Sequence, residues 1–352
     1  WIVMRYGLGE CLVKFDEKMN STPWLAENWQ VSDDKLTWTF KINDKAKFSN
    51  GNKVTAEAVK KSIERTFEKA ARARAMFEYD NISADGQTLM IKTHTPVATL
   101  PGMLGDPLFI IIDTSVTDRD YAKQGPICTG PYMVNTYSKA KAVMDANPNY
   151  WDGEVPFKHV EIPTIDDPNT RAMALQSGEI DMALLDPKNA QSFKDAEDYT
   201  CYDMTTSDYR GIMFNFGNDY WTENKDIIPA VCYGIDRQAI IDAVLLGQGM
   251  PAYGPLQRNI YNDENVEHYD YNPEKAKEIL ENAGCTMGDN GFYERNGEEI
   301  GFVISVMSGE QDRIDIAQAA AQQLQEIGIN CTVDIPAQMD WGGQMACLIG
   351  WG

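Results

Sequence analysis

The most constraining feature of this sequence is a strand–helix–strand unit in its last fifth. Residues 302–307 are mostly apolar and residues 330–335 alternate between polar and apolar, so each segment predicts a strand, and residues 312–327 between them have the apolar spacing of a helix. Gly328 is expected to end that helix. A strand that returns to its sheet through a helix runs parallel to its partner, with a right-handed crossover. The sequence therefore predicts an α/β fold.

Alternation and turn residues predict further elements in the first part of the chain. Apolar and polar residues alternate over 36–42, which predicts a strand with one apolar face. Residues 82–91 surround an Asp-Gly pair at 85–86, which favours a β-hairpin. Between these segments, Thr55 is a candidate N-cap for a helix with an apolar stripe.

Proline and glycine mark the helix boundaries in the second part of the chain. An Asp-Pro pair at 167–168 predicts a helix that ends at Gly178, followed by a strand over 180–185. One continuous helix is predicted over 229–246 and another over 272–284. Both parts of the chain thus combine helices and strands.

The charge balance excludes several classes of partner. The chain has 31 Lys and Arg residues against 53 Asp and Glu residues, a net charge of −22. Nucleic acids and anionic membrane surfaces bind cationic proteins, so neither is an expected partner. The longest apolar run has five residues, far fewer than the ~20 that a membrane-spanning helix needs.

Cysteine and histidine patterns give no sign of a metal or redox site. The seven cysteines are an odd number and no two lie within three residues, so we interpret most as buried thiols, with one disulfide left open. His94, His159 and His268 have no metal-ligand spacing. We therefore expect no cofactor and no metal ligands. Adjacent carboxylates are abundant, but no pair stands out as that of a hydrolase.

Neither end of the sequence is typical of a natural terminus. The chain begins at Trp1 inside an apolar segment, and residues 347–352 predict a strand running into a turn. No signal peptide is present. We expect the natural protein to extend beyond both ends. A segment at 208–218 is a candidate crossing between domains.

Three groups of motifs, taken in order, carry a family resemblance. The first is Pro-Trp-Leu-Ala-Glu-Asn-Trp at 23–29 with Lys-Phe-Ser-Asn-Gly at 47–51. The second is Thr-Gly-Pro-Tyr at 129–132 with Asn-Pro-Asn-Tyr-Trp-Asp-Gly at 147–153, and the third begins with the Asp-Pro pair at 167–168. Together they resemble the large solute-binding proteins of ABC importers, which carry peptides, dipeptides or nickel chelates.

The resemblance implies a two-lobed, periplasmic-binding-protein type II-like α/β fold with an extra subdomain. We expect a first lobe over 1–213, with the subdomain at about 30–130, and a second lobe over 214–352 that is truncated at its C-terminal end. Such a protein binds its ligand without altering it, by hinge closure, and has no catalytic residues. We expect a monomer that works with membrane permease subunits. The protein would be extracellular, periplasmic or a membrane-anchored lipoprotein of a bacterium.

The same resemblance gives ligand-binding candidates. Trp351 matches the family's pocket tryptophan, and Arg72 matches a pocket arginine of the nickel-chelate binders. In those proteins a tryptophan stands where this chain has Ala75, and a second arginine stands near Phe109, which is apolar. Because this chain keeps only part of the pocket of the nickel-chelate binders, the resemblance favours an oligopeptide or dipeptide as the ligand. A nickel or metal–metallophore complex stays the alternative.

For three further candidate ligand residues, a purely structural role is the alternative to ligand binding. Arg74 is a candidate ligand contact, although it and Arg72 could simply be the solvated end of a helix. Met76 is a second candidate that could equally belong to the core. Arg210 precedes a predicted crossing strand and would either face the ligand or form an ion pair between domains. A secreted hydrolase, and a receptor that signals without transport, are the alternatives of other classes.

Overall fold

The computed structural model of the chain describes residues 2–204, 206–258 and 261–351, without the side chains of Ile2, Arg5 and Trp351. The chain divides into two compact units, unit 1 (Trp1–Ile165) and unit 2 (Asp166–Gly352). No helix within the described residues is both long enough and apolar enough to cross a membrane.

Unit 1 combines short helices with three antiparallel sheets. Its helices are α1 (Ile2–Arg5), α2 (Ala56–Lys69), α3 (Ala71–Met76), α4 (Leu100–Met103) and α5 (Tyr121–Gln124), with a 3₁₀ turn at Pro107–Phe109. Its strands are β1 (Val13–Phe15), β2 (Ser21–Pro23), β3 (Ala26–Val31), β4 (Thr37–Ile42), β5 (Tyr79–Asp85), β6 (Thr88–Thr93), β7 (Tyr132–Tyr137), β8 (Lys141–Ala146) and β9 (His159–Pro163). The strand orders are β1-β2, β3-β4-β6-β5 and β7-β8-β9.

The larger sheet of unit 1 and helix α2 enclose its main core. The predicted strand at 36–42 is confirmed as β4, and Phe40 is fully buried. The predicted hairpin is confirmed as β5–β6, with Gly86 at a φ of +56° that favours glycine. Thr55 caps α2, because its side chain accepts a hydrogen bond from the Ala58 N–H at 3.2 Å. The apolar stripe of α2, which includes Ile63, is buried against the sheet.

Unit 2 contains a four-stranded sheet and a small three-stranded one. Its helices are α6 (Pro168–Gln176), α7 (Pro187–Lys194), α8 (Asp219–Asn224), α9 (Ile228–Tyr233), α10 (Arg237–Val244), α11 (Pro273–Asn282) and α12 (Gln311–Glu326), with a 3₁₀ turn at Lys225–Ile227. Its strands are β10 (Tyr209–Phe214), β11 (Thr286–Met287), β12 (Tyr293–Arg295), β13 (Glu298–Glu299), β14 (Gly301–Ser305), β15 (Asn330–Asp334) and β16 (Ala346–Trp351). The sheets have the orders β10-β16-β14-β15 and β11-β12-β13.

The predicted strand–helix–strand unit is confirmed as β14–α12–β15. The two strands pair in parallel, and Gly328 follows the helix with a φ of +90°. Trp221, Phe302 and Leu324 are buried together in the core beneath this sheet. The predicted helices at 167–178 and 272–284 are also confirmed, as α6 and α11.

The prediction of one continuous helix over 229–246 is wrong. The segment is divided into α9 and α10, with Gly234 ending the first and Asp236 capping the second. A β-carbon on Gly234 would lie 2.5 Å from Cδ1 of Ile327, and the N–H of Asp236 donates to Oε1 of Gln323 at 2.8 Å. Packing against α12 therefore fixes the break, which periodicity alone does not reveal.

The prediction of a strand over 180–185 is also wrong. The structure assigns no strand there, and Met182 and Leu184 are 86% and 85% exposed. A strand forms only where a neighbouring strand accepts its backbone hydrogen bonds, and alternation in sequence does not supply that neighbour. The predicted boundary between the lobes, at 213/214, separates the parts of the chain that would move as rigid bodies. That boundary stays a prediction.

Candidate functional site

The motifs that carry the resemblance in unit 1 are joined by hydrogen bonds. Asn147 donates from Nδ2 to the carbonyl oxygen of Gly130 at 2.8 Å, and Asn149 donates from Nδ2 to that of Ser49 at 3.0 Å. The N–H of Ser49 donates to the carbonyl oxygen of Cys128 at 2.8 Å. Segments that are up to 100 residues apart thus form one polar cluster.

The carboxyl group of Glu10 is buried beside this cluster, with 1% of the residue exposed. Nε1 of Trp151 donates to it at 2.8 Å, and the hydroxyl of Tyr150 donates at 3.4 Å. Burial raises the pKa of Glu10, and the hydrogen bond from Trp151 opposes part of the rise. Glu10 thus ties the N-terminal segment to the second group of motifs.

Asp113 is a second buried carboxylate and is held differently. Nδ2 of Asn50 and Nδ2 of Asn52 each donate to its Oδ2 at 2.8 Å, and the N–H of Ser115 donates to its Oδ1 at 2.9 Å. Burial by itself would raise the pKa of Asp113, but these donors outweigh it and hold the pKa below its ordinary value. The Ser-Asn-Gly turn is therefore fixed by an ionised carboxylate.

Helix α3 carries three of the sequence-predicted ligand residues, of which two are arginines. Arg72 donates from Nη2 to Oδ2 of Asp106 at 2.9 Å, and the Arg72 side chain is 56% exposed. Arg74 donates from Nη1 to the carbonyl oxygens of Phe67 and Glu68 in the last turn of α2. A cation at the C-terminal end of a helix pairs with carbonyls that lack helical partners. Arg74 therefore caps α2, whereas Arg72 presents much of its surface to solvent.

Met76 and Phe109, two further candidates, belong to the core side of this region. Met76 is half-buried against the main core of unit 1. Phe109 is 1% exposed, and its ring centroid lies 5.8 Å from those of both Phe67 and Phe77. The role of either residue in binding stays a prediction.

Unit 2 brings together the strands that carry Arg210 and Trp351. Strands β10 and β16 pair antiparallel, with Arg210 opposite Gly350 and Tyr209 opposite Trp351. A β-carbon on Gly350 would lie 2.6 Å from Nη1 of Arg210, so the arginine side chain crosses the backbone there. The Trp351 side chain lies outside the described residues, and its contact with ligand stays a prediction.

Arg210 lies among carboxylates. Its Nη1 is 2.5 Å from Oδ2 of Asp208, and it also interacts with Asp312 at the start of α12. Burial raises the pKa of Asp312, and the charges of Asp186 and Asp315 raise it further, while Arg210 opposes the rise. This end of unit 2 is therefore crowded with negative charge.

The described residues hold no group of three or more His, Cys, Asp or Glu side chains that could bind a metal ion. His159 faces Asp145 and Glu161 across an exposed sheet, and His268 stacks on Tyr253 at 3.9 Å. All seven cysteines are free thiols, and five of them are buried.

Comparison with known proteins places this chain in a family. Residues 20–352 match the bacterial extracellular solute-binding proteins of family 5 (the middle region of the family). The chain belongs to that family. The resemblance inferred from the motifs is thereby confirmed.

Individual relatives agree with this assignment. The nickel-binding protein NikA of Staphylococcus aureus is 26% identical over 352 residues, covering 99% of this chain and 68% of that protein. The oligopeptide-binding protein AppA of Bacillus subtilis is 28% identical over 345 residues, covering 92% and 63%. The crystal structure of NikZ from Campylobacter jejuni with Ni(L-His) superposes with a TM-score of 0.86 at 27% identity, covering 98% and 71%. The predicted two-lobed α/β fold class of the family is thereby confirmed.

The chain spans between 57% and 68% of the length of curated relatives such as NikA and AppA. Sequence reasoning missed Glu10, Asp106 and Asp113, the carboxylates that hold the motifs and Arg72 in place. Glu10 and Asp113 are buried, and all three carboxylates accept a hydrogen bond from a residue at least 34 positions away, such as Trp151 for Glu10. The sequence offered no signal for them beyond their position near the motifs.

Proposed function

We propose that this chain is the substrate-binding part of an ABC importer that captures an oligopeptide or dipeptide outside the cell. The match over residues 20–352 to extracellular solute-binding proteins supports the binding role. The relatives named above are binding proteins, which supports a role without catalysis. The protein would deliver its ligand to permease subunits in the membrane.

The choice of a peptide rests on the surroundings of α3. The nickel-chelate binders that the chain resembles place an arginine and a tryptophan where this chain has Phe109 and Ala75. Phe109 is enclosed in the core of unit 1, and Ala75 is exposed with no aromatic surface to offer. An anionic chelate would find one candidate arginine here, Arg72, rather than two. AppA, whose name states oligopeptide binding, supports the same choice.

Ligand capture would proceed by hinge closure between the two lobes. A ligand that binds the closed state more tightly than the open state shifts the population toward closure. Saturating ligand should therefore reduce the radius of gyration in small-angle scattering. An unchanged radius with a ligand shown to bind would contradict closure.

A metal chelate is the second candidate, favoured by the similarity to NikA and by the TM-score of 0.86 to NikZ. A chelate brings its own metal ligands, so the protein need only surround it. Under this alternative the protein would bind a nickel–histidine or other metallophore complex.

Native mass spectrometry of freshly purified protein, with elemental analysis of the same sample, separates the two candidates. A co-purified peptide mass without metal supports the first, and stoichiometric nickel supports the second. Calorimetric titration with a nonapeptide and with Ni(L-His)₂ then gives the affinities. Binding of neither class, or turnover of a peptide library by the purified protein, would overturn the proposal.

A further inference from the structure

The net charge of this protein is almost wholly carried by one of its two units. Residues 1–165 contain 20 Lys and Arg against 21 Asp and Glu, a net charge of −1. Residues 166–352 contain 11 against 32, a net charge of −21. Two units of similar length thus differ by twenty charges.

The net charge of −21 is what remains after every cation of unit 2 has been counted. Three of its arginines are engaged with carboxylates of the same unit: Arg210 with Asp208, Arg295 with Asp226 and Arg313 with Glu310. Beyond a short distance the two opposite charges of each ion pair cancel each other. These arginines therefore do not reduce the electrostatic field of the remaining carboxylates. In unit 1, by contrast, the numbers of cations and anions nearly match.

Negative charge is also concentrated near a candidate ligand residue. Asp312 has Asp186, Asp315 and Glu310 close enough to act on its ionisation, and Arg210 is its cationic neighbour. Arg210 lies on β10, whose partner strand β16 carries Trp351. A ligand that reaches this strand pair therefore approaches through the field of unit 2.

We propose that unit 2 steers ligands of net positive charge, so that the preferred substrates are cationic peptides or cationic complexes. This inference rests on the proposed function and adds the substrate's charge to it. An excess of one sign of charge raises the rate of association of oppositely charged partners, by about 10- to 1,000-fold where a cleft lined by that charge focuses the field, and the effect falls steeply with ionic strength. Electrostatic steering acts while the ligand approaches the protein, so it changes the association rate constant. The effect weakens as ionic strength rises.

The test is stopped-flow tryptophan fluorescence with three tripeptides that differ only in the central residue, which is lysine, glutamine or glutamate. At about 10 mM salt, where the screening length is ~30 Å, we expect the lysine peptide to associate at least 10-fold faster than the glutamate peptide. At about 150 mM salt, where the screening length is ~8 Å, the ratio should fall several-fold.

Matched charge variants locate the effect. Four exposed acids of unit 2 that take no part in the ion pairs named above are neutralised together: Asp195→Asn, Glu197→Gln, Asp198→Asn and Asp203→Asn. The control removes four exposed acids from unit 1: Glu17→Gln, Glu27→Gln, Asp33→Asn and Asp85→Asn. We expect the unit 2 variant to slow the lysine peptide about twofold or more at low salt, and the control to slow it less.

The outcomes separate this inference from the proposed function. Equal association rates for the lysine and glutamate peptides would overturn steering and leave peptide binding intact. Equal slowing by the two variants would overturn the assignment to unit 2. If neither the peptides nor Ni(L-His)₂ bind the wild-type protein, the proposed function itself fails.

Discussion

Replacement of Gly130 by alanine tests whether the motif cluster of unit 1 requires a close backbone approach. A β-carbon at this position would lie 2.3 Å from the carbonyl oxygen of Gly7 and 2.9 Å from that of Leu8. Both atoms belong to the backbone, so no side-chain rotation relieves the contact. The N–H of Gly130 also donates to the carbonyl oxygen of Leu8 at 3.1 Å, and that hydrogen bond would be stretched.

The expected cost follows from these contacts. Overpacking of a tight site costs about 1–3 kcal/mol, and a weakened hydrogen bond adds about 1 kcal/mol. Gly130→Ala should therefore reduce the free energy of unfolding of unit 1 by about 2–4 kcal/mol. For a unit of this size, each kcal/mol corresponds to about 2–4 °C in melting temperature, so a decrease of about 6–12 °C is expected for 3 kcal/mol.

Differential scanning calorimetry measures this change, with Gly102→Ala as the matched control in the same unit. Gly102 lies in α4, and its β-carbon would meet Oγ of Ser21 at an ordinary 3.4 Å. Alanine favours a helix over glycine by about 1 kcal/mol, so the control should melt at the same temperature or slightly higher. A Gly130→Ala protein that melts with the wild type would refute the argument from close approach.

Three further predictions concern charge and ligand binding. Burial raises the pKa of Glu10 above 4.5, so the contribution of Glu10 to stability is present below pH 4.5 and is lost as pH rises through the folded-state pKa. Glu10→Gln should remove this dependence of the unfolding free energy on pH, as measured by denaturation curves. If the unfolding free energies of the two proteins change with pH in parallel, the argument is contradicted. Hydrogen bonding to Asp145 raises the pKa of His159, so the stability from this pair should be present below pH ~6.5 and decline as pH rises through the raised pKa. Both His159→Gln and added salt should abolish this pH dependence of the melting temperature in thermal melts. Trp351→Ala should weaken ligand binding by about 1–3 kcal/mol in calorimetric titration, as for a well-buried aromatic anchor, and unchanged affinity would remove Trp351 from the candidate site.

The sequence predicted the elements whose boundaries depend on neighbouring residues. Thr55 caps α2, the Asp-Pro pair begins α6, and the parallel β14–α12–β15 unit forms as expected. These signals act within a few residues, because a cap, a turn or a helical stripe is satisfied by nearby backbone groups. Motif order also sufficed to identify the family.

The candidate site was less accessible to sequence reasoning. Arg74 is a candidate ligand residue by resemblance, and in the structure it hydrogen-bonds to carbonyl oxygens at the end of α2, so its contact with ligand stays a prediction. Phe109 is a candidate from its position in the family pattern; the structure encloses it in the core of unit 1, and its role in binding stays a prediction. The exposure and the hydrogen-bond partners of these side chains depend on the residues that fold against them, which a sequence motif does not give.

Local sequence by itself determined helices α2, α6, α11 and α12, the β5–β6 hairpin, the α/β class and the total charge of this protein. Only the tertiary structure decided that Glu10 and Asp113 are buried, that the helix after Ile228 breaks at Gly234, and that residues 180–185 form no strand. The reason is physical. Caps and periodicity are short-range interactions between neighbours in the chain, whereas burial, strand pairing and the environment of a charge depend on segments up to 141 residues apart.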